Sequence, residues 1–195
     1  MSSGTTARKV LLIVGHPDAE SFNFALADAY ERGARAAGAD LKRLNLRDLT
    51  FDLNLHYGYR QRTELEPDLL EAQRLLKWAD HLVWVYPVWW GSVPALLKGF
   101  LDRVLLPGFA FKKHAGKLRW DQFFTGTTAR IICTMDQPTW FYRLRFGRPS
   151  TRAMREVTLK FIGVGRVSVT AIGPLKDATD AQRAKWLRKV ERCAT

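Results

Sequence analysis

Cysteine is nearly absent from this 195-residue chain, and the two that occur, Cys133 and Cys193, form no CxxC pair. That excludes a zinc ribbon and a disulfide scaffold, and it suits reduced thiols in a cytoplasmic protein. The four histidines, His16, His56, His81 and His114, stand at no metal-ligand spacing, so no metal site is expected. No apolar run reaches the roughly 18 residues that a membrane-spanning helix needs. Neither the dinucleotide turn GxGxxG nor a P-loop pattern occurs, which argues against the ordinary dinucleotide and nucleoside-triphosphate folds. Gly91-Ser92-Val93 lacks nucleophile-elbow spacing, which argues against a hydrolase.

Negative charge is the other shortage: 31 Lys and Arg stand against 19 Asp and Glu, a net charge of +12. Much of the excess lies between Lys112 and Arg155, where Lys112, Lys113, Lys117, Arg119, Arg130, Arg143, Arg145, Arg148, Arg152 and Arg155 face only Asp121 and Asp136. Such a field attracts phosphate-bearing cofactors, an anionic membrane surface, an acidic partner or nucleic acid, and it can also be a plain solvated face. No helix-turn-helix, zinc-finger or RNP pattern accompanies it, so nucleic acid is set aside.

What is present is a regular alternation. Short apolar runs at 9–15, 81–86, 129–134 and 166–172 read as strands, and 40–46, where Leu41, Leu44 and Leu46 alternate with basic residues, reads as a less buried strand nearer an edge. Between and after them, 24–37, 68–78, 94–105, 151–161 and 179–193 read as helices, with Gly38 as a stop signal and Thr179 or Asp180 as a cap. Residues 48–67 read as an irregular excursion, Phe109 to His114 as a loop with exposed aromatics, and Pro138 to Pro149 as aromatic and basic without periodicity. Five strands alternating with helices predict a single α/β domain over 9–195, behind a disordered leader at 1–8. Its parallel sheet carries helices on both faces, joined by right-handed crossovers.

Two loops carry the chemistry. After the first strand, Gly15-His16-Pro17-Asp18-Ala19-Glu20-Ser21-Phe22-Asn23 places a capping serine at a helix start. There the amides of Phe22 and Asn23 and the helix dipole favour phosphate, with His16 and Asn23 as added donors. After the third strand, Pro87-Val88-Trp89-Trp90-Gly91-Ser92 combines aromatic faces with backbone amides, as a flat tricyclic ring requires. Ligands of open parallel sheets bind outside the carboxyl ends of strands, where both loops fall.

These motifs, with Gly108-Phe109-Ala110-Phe111, resemble the NAD(P)H:quinone oxidoreductases of flavodoxin-like fold, the group of DT-diaphorase and smaller bacterial relatives, from about Val10 to Phe111. The resemblance implies a three-layer sandwich around a five-stranded parallel sheet of order 2-1-3-4-5. It also implies a homodimer with one flavin per subunit, FMN with FAD as the close alternative, and hydride passing from NAD(P)H through flavin N5 to a quinone or similar small-molecule acceptor.

By position, His16, Ser21, Phe22 and Asn23 hold the flavin phosphate region, and Pro87, Val88, Trp89, Trp90 and Gly91 line the ring. Thr134, Met135 and Asp136 form a third flavin loop, where Met135-Asp136-Gln137 replaces the glycine-rich turn of the mammalian enzymes. Phe109 and Phe111 cover a neighbouring subunit's substrate pocket. Trp90, Gly91 and Tyr142 are the catalytic candidates, Trp90 and Gly91 by positioning the ring and Tyr142 as a proton donor. The basic segment is expected to draw in NADPH. A rival from another class is a flavin-binding regulatory or ancillary subunit of a membrane transport system.

Overall fold

The computed structural model describes residues 7–194. Most of the expected leader therefore lies outside the described residues, but Arg8 is held, its guanidinium bonded to His81 and to Thr128. In chain order the elements begin with β1 (Lys9–Val14), α1 (Phe22–Ala36), β2 (Asp40–Asn45), α2 (Pro67–Trp78), β3 (His81–Pro87) and α3 (Ala95–Val104). They continue with β4 (Phe111–Lys113), β5 (Trp120–Gln122), β6 (Thr128–Thr134), α4 (Thr139–Phe146), α5 (Pro149–Arg152) running into a π-helical stretch Ala153–Leu159, β7 (Val167–Ile172) and α6 (Asp180–Arg192).

Five parallel strands form one sheet of order β2-β1-β3-β6-β7. With the separate β4–β5 hairpin set aside, this is the expected order 2-1-3-4-5. The register aligns the carboxyl ends, with Val14 beside Val85, Pro87 beside Thr134, and Thr134 beside Ile172. Every loop that follows a strand therefore leaves from one edge.

Side chains alternate between two cores because successive strand residues point to opposite faces. Val10, Leu12, Val14, Val83, Val85 and Ile132 pack under Leu26 and Tyr30 of α1 and Val190 of α6. Leu11, Ile13, Leu82, Trp84 and Cys133 pack under Leu69 and Leu76 of α2, Phe100 of α3 and Met154 and Leu159 of the π-helical stretch. Burial pushes the Cys133 thiol up to about 12, which makes it a core filler.

The helices begin where the local chemistry satisfies their first amides. Ser21 caps α1, and Thr179 with Gln182 forms a reciprocal capping box on α6. Two expectations need correction. Phe109 to His114 is not a loop of free aromatics: Phe111 opens the β4–β5 hairpin and packs edge-on against Phe161 at 4.9 Å. Pro138 to Pro149 is not irregular, because it contains α4, ended by Gly147 in the left-handed region.

At the opposite, amino-terminal edge, His81 is buried and its Nδ1 accepts from Arg8 Nη2 at 2.9 Å and Thr128 Oγ1 at 2.7 Å. Burial first, then the charges of Arg8 and Arg130, lower its pKa from 6.5 to about 3. Between those two values the unfolded imidazole binds a proton that the folded one refuses. This group's contribution is therefore complete above about pH 7 and is lost as pH falls from 6.5 toward 3, with a limiting slope of about 1.4 kcal/mol per pH unit. Urea unfolding of the parent and of His81→Gln across that range is expected to show a shallower acid loss in the variant. Parallel curves would remove His81 from the account.

Candidate functional site

Three loops leave the carboxyl edge of the sheet and meet. In the first, between β1 and α1, Ser21 Oγ accepts from the Asn23 amide at 3.2 Å and from Asn23 Nδ2 at 3.0 Å. The Asn23 amide is thus consumed by the cap, while the Phe22 amide has no protein partner among the described residues. Asn23 itself is buried, and its Nδ2 donates to Thr134 Oγ1 at 3.1 Å, tying the first loop to the end of β6. His16 Nδ1 accepts from the Asp18 amide at 3.0 Å. Burial lowers its pKa against the smaller opposing effect of Asp18.

The second loop, after β3, is a tight reversal. Trp89 N donates to Ser92 O at 3.1 Å and Ser92 N donates to Trp89 O at 2.8 Å. The two residues between them both have positive φ, 49° at Trp90 and 71° at Gly91. This is a mirror-image type I′ turn, suited to Gly at its second position and strained at its first, where the indole-bearing residue costs about 1 kcal/mol or more. The Trp90 side chain is wholly exposed, and the Trp90 and Gly91 amides have no protein partner among the described residues. Trp89 stands edge-on to His16 with ring centroids 5.3 Å apart, which joins the first loop to the second. Val88 N donates to Thr134 O at 2.7 Å, joining the second loop to the third.

In the third loop most of the backbone is already spent. Met135 is buried, its amide donates to Ile172 O at 2.9 Å, and its carbonyl accepts from Leu175 N at 3.0 Å. Thr134 gives its hydroxyl to Asn23 and its carbonyl to Val88. Only Asp136 and its neighbour Gln137 stand exposed, so of the three residues expected here Asp136 is the one open to a ligand.

Tyr142, on α4, is buried, and its hydroxyl accepts from Ser150 N at 3.1 Å and Thr151 N at 3.4 Å. It therefore serves as the cap of α5. Burial, the largest cause, raises its pKa. Pro149, at the start of the same helix, lies against Gly91: a Cβ built on Gly91 would stand 3.5 Å from Pro149 Cγ. Phe109 packs edge-on against Phe124 at 5.7 Å and lines a groove of about 960 Å³ between residues 55–65, α2 and the end of α3. Neither it nor Phe111 meets the three loops of its own chain in these contacts. Among the described residues no three His, Cys, Asp or Glu side chains are grouped to hold a metal ion.

The I′ turn, the Asn23 bridge and the Tyr142 cap were all missed by sequence reasoning. Only the first left a signal: an aromatic-Gly pair between Trp89 and Ser92, directly after a strand.

A family model described as flavodoxin-like fold matches residues 8–192. A human protein named ribosyldihydronicotinamide dehydrogenase (quinone) is 33% identical over 153 residues, covering 64% of this chain. The match spans 66% of the human protein's length, just under two thirds. A solved protein of Streptococcus mutans UA159 superposes with TM-score 0.82 at 27% identity over 95% of this chain and 98% of its own. An NAD(P)H:quinone oxidoreductase from Methanothermobacter marburgensis shares the fold, with TM-score 0.82 at 22% identity over 96% of this chain and 98% of its own.

Proposed function

The chain belongs to the flavodoxin-like fold family, and from that premise we propose that it is a flavin-dependent NAD(P)H oxidoreductase acting on a quinone or similar electrophile. One observation carries the reading: at one edge of the sheet a capped helix start and an aromatic turn with open amides touch through His16 and Trp89, 5.3 Å apart. One elongated ligand, anionic at one end and planar at the other, bridges them. The names of the human and Methanothermobacter relatives support the same chemistry.

The flavin, taken as FMN with FAD as the alternative, supplies the redox step by accepting hydride from NAD(P)H and passing it to the acceptor. His16, Ser21, Phe22 and Asn23 bind its phosphate end. Pro87, Val88, Trp89, Trp90 and Gly91 would hold the ring, with Asp136 as a further open contact. The open Trp90 and Gly91 amides would be free to donate to the polar edge of a bound ring, where donors stabilise developing negative charge.

A positioning role for Tyr142, in place of proton donation, is supported by its burial and by the Ser150 and Thr151 amides that donate to its hydroxyl at the start of α5. Through Ser150 and Pro149 it supports the Trp90–Gly91 turn. Tyr142→Phe is expected to lower stability by about 1–2 kcal/mol by leaving those amides unpaired, with KM for the acceptor and the pH profile of kcat unchanged. Loss of a basic limb from that profile would restore the proton-donor role.

A homodimer, with Phe109 and Phe111 over the partner's substrate pocket, and a cytoplasmic location complete the proposal. Exposed Tyr59 and Leu70 beside Phe109 on the 960 Å³ groove favour a covered apolar face. The test is anaerobic stopped-flow mixing of the flavin-loaded protein with NAD(P)H and then with a soluble quinone. Bleaching of the flavin by the first and recovery by the second is expected. Bleaching that no small acceptor reverses would favour the ancillary-subunit reading.

A further inference from the structure

A second groove, of about 400 Å³, lies against the edge strand of the sheet. Its walls come from α4, from the turn before α5 and α5 itself, and from β7: Trp140, Tyr142, Arg143, Arg148 and Thr151 are among its lining, over Val169 and Ala171. It begins beside the candidate flavin site, because Arg148 directly precedes Pro149, which packs against Gly91. From there it runs outward along β7. Trp140 is 63% exposed and, set perpendicular to Phe141 at 5.8 Å, presents an aromatic surface at the rim.

The charge in this groove is of one sign. No carboxylate lines it, and Arg143 and Arg148 make no ion pair with any acidic side chain among the described residues. Some surface arginines are paired, as Arg35 with Glu31 and Arg74 with Glu71 are; here two unpaired ones share one groove. Arg148 is also held in the left-handed region at φ 59°. That conformation is unfavourable for a side-chain-bearing residue and recurs where local strain serves a site.

Dinucleotide sites discriminate at the adenosine ribose. A carboxylate there takes the 2′-hydroxyl of NADH, whereas arginine takes the 2′-phosphate of NADPH. A groove with two unpaired guanidiniums, an open indole and no acid has the second chemistry. Guanidinium matches phosphate with paired hydrogen bonds, and a tryptophan face stacks on adenine. We propose that this groove binds the adenosine 2′-phosphate end of NADPH, with Arg143 and Arg148 as specificity-determining residues and Trp140 as the adenine platform. The inference rests on the redox reading above and narrows its reductant to NADPH.

The flavin-loaded protein is assayed with NADPH and with NADH against a soluble naphthoquinone, as parent, Arg143→Gln and Arg148→Asn, asparagine being tolerant of left-handed backbone. Binding of adenosine 2′,5′-bisphosphate and of AMP is measured separately by calorimetry. The parent is expected to favour NADPH by about tenfold or more in kcat/KM, and each substitution to remove most of that preference by acting on NADPH. The bisphosphate is expected to bind about tenfold more tightly than AMP, by a margin that shrinks with salt. Equal use of both dinucleotides by the parent, or substitutions that lower both alike, would overturn the proposal while leaving the flavin chemistry intact. A protein that takes up no flavin would end the redox reading, and the bisphosphate titration on that protein still decides the groove. The parent's ratios decide the matter even where a variant fails to fold.

Discussion

A Gly91→Val variant is expected to fold and yet to bind flavin about 100-fold more weakly than the parent, a loss of about 2.7 kcal/mol. Gly91 has φ 71°, a region that a β-branched residue adopts only as an outlier. The turn must therefore open, and the reciprocal pair between Trp89 and Ser92 is broken. The sheet and both cores lie beneath the loop and are untouched, so the far-ultraviolet circular dichroism is expected to stay that of the parent. Trp90→Gly acts in the opposite sense on stability: it relieves the left-handed strain, for a gain of about 1 kcal/mol, while deleting the exposed indole. Flavin titration of both variants separates turn geometry from aromatic contact. Undiminished flavin affinity in Gly91→Val would show that the turn does not hold the ring.

Arg103→Met is expected to produce the largest loss of stability, about 3–5 kcal/mol. Arg103 projects from α3 with its side chain 2% exposed. Its Nη2 donates to Glu66 Oε2 at 2.7 Å and to Glu64 O at 3.2 Å, and its Nη1 donates to Asp52 O at 2.6 Å and Glu66 Oε1 at 3.2 Å. One guanidinium thus pins both ends of the irregular segment that walls the 960 Å³ groove. Burial would raise the Glu66 pKa, but hydrogen bonds from the backbone and from Arg103 outweigh it and hold the carboxyl low. Removing the cation leaves the Glu66 carboxylate without its counter-ion, held only by backbone amides such as that of Asp52, and takes the guanidinium donor from two carbonyls. At about 2–4 °C per kcal/mol for a chain of this size, a fall in Tm of about 6–20 °C is expected by calorimetry. A shift of under about 2 °C would mean that water replaces the guanidinium at no cost.

Arg103 also shows where sequence reasoning stops. A single arginine in a helical pattern reads as part of a solvated face, and nothing local marks the carbonyls that will surround it from some forty to fifty residues upstream. Four of the five sheet strands were legible as short apolar runs and β2 by leucines alternating with basic residues, and His81 to Pro87 is buried at every position. The β4–β5 hairpin was not legible, since its strands are three residues long, mostly basic and without alternation. Nor was α4, whose sequence TWFYRLRF buries one residue, Tyr142, and exposes aromatic and basic ones around it. A helix held by a single anchor and its glycine cap leaves no periodic stripe. In the candidate site, Ser21 as helix cap and the aromatic loop after β3 followed from residue type and position. The mutual contacts did not, because Asn23 to Thr134 and Gly91 to Pro149 join residues far apart in the chain.

The central claim is that the first and second loops hold one flavin between them. Its most direct test is a titration of the apoprotein with FMN and, separately, with FAD, following quenching of flavin fluorescence and transfer from the tryptophans. The account predicts saturation at one flavin per chain, with FMN the tighter ligand and the emission strongly quenched by Trp89 and the neighbouring loop. Titrations in which neither flavin saturates, or in which Gly91→Val binds as well as the parent, would contradict it.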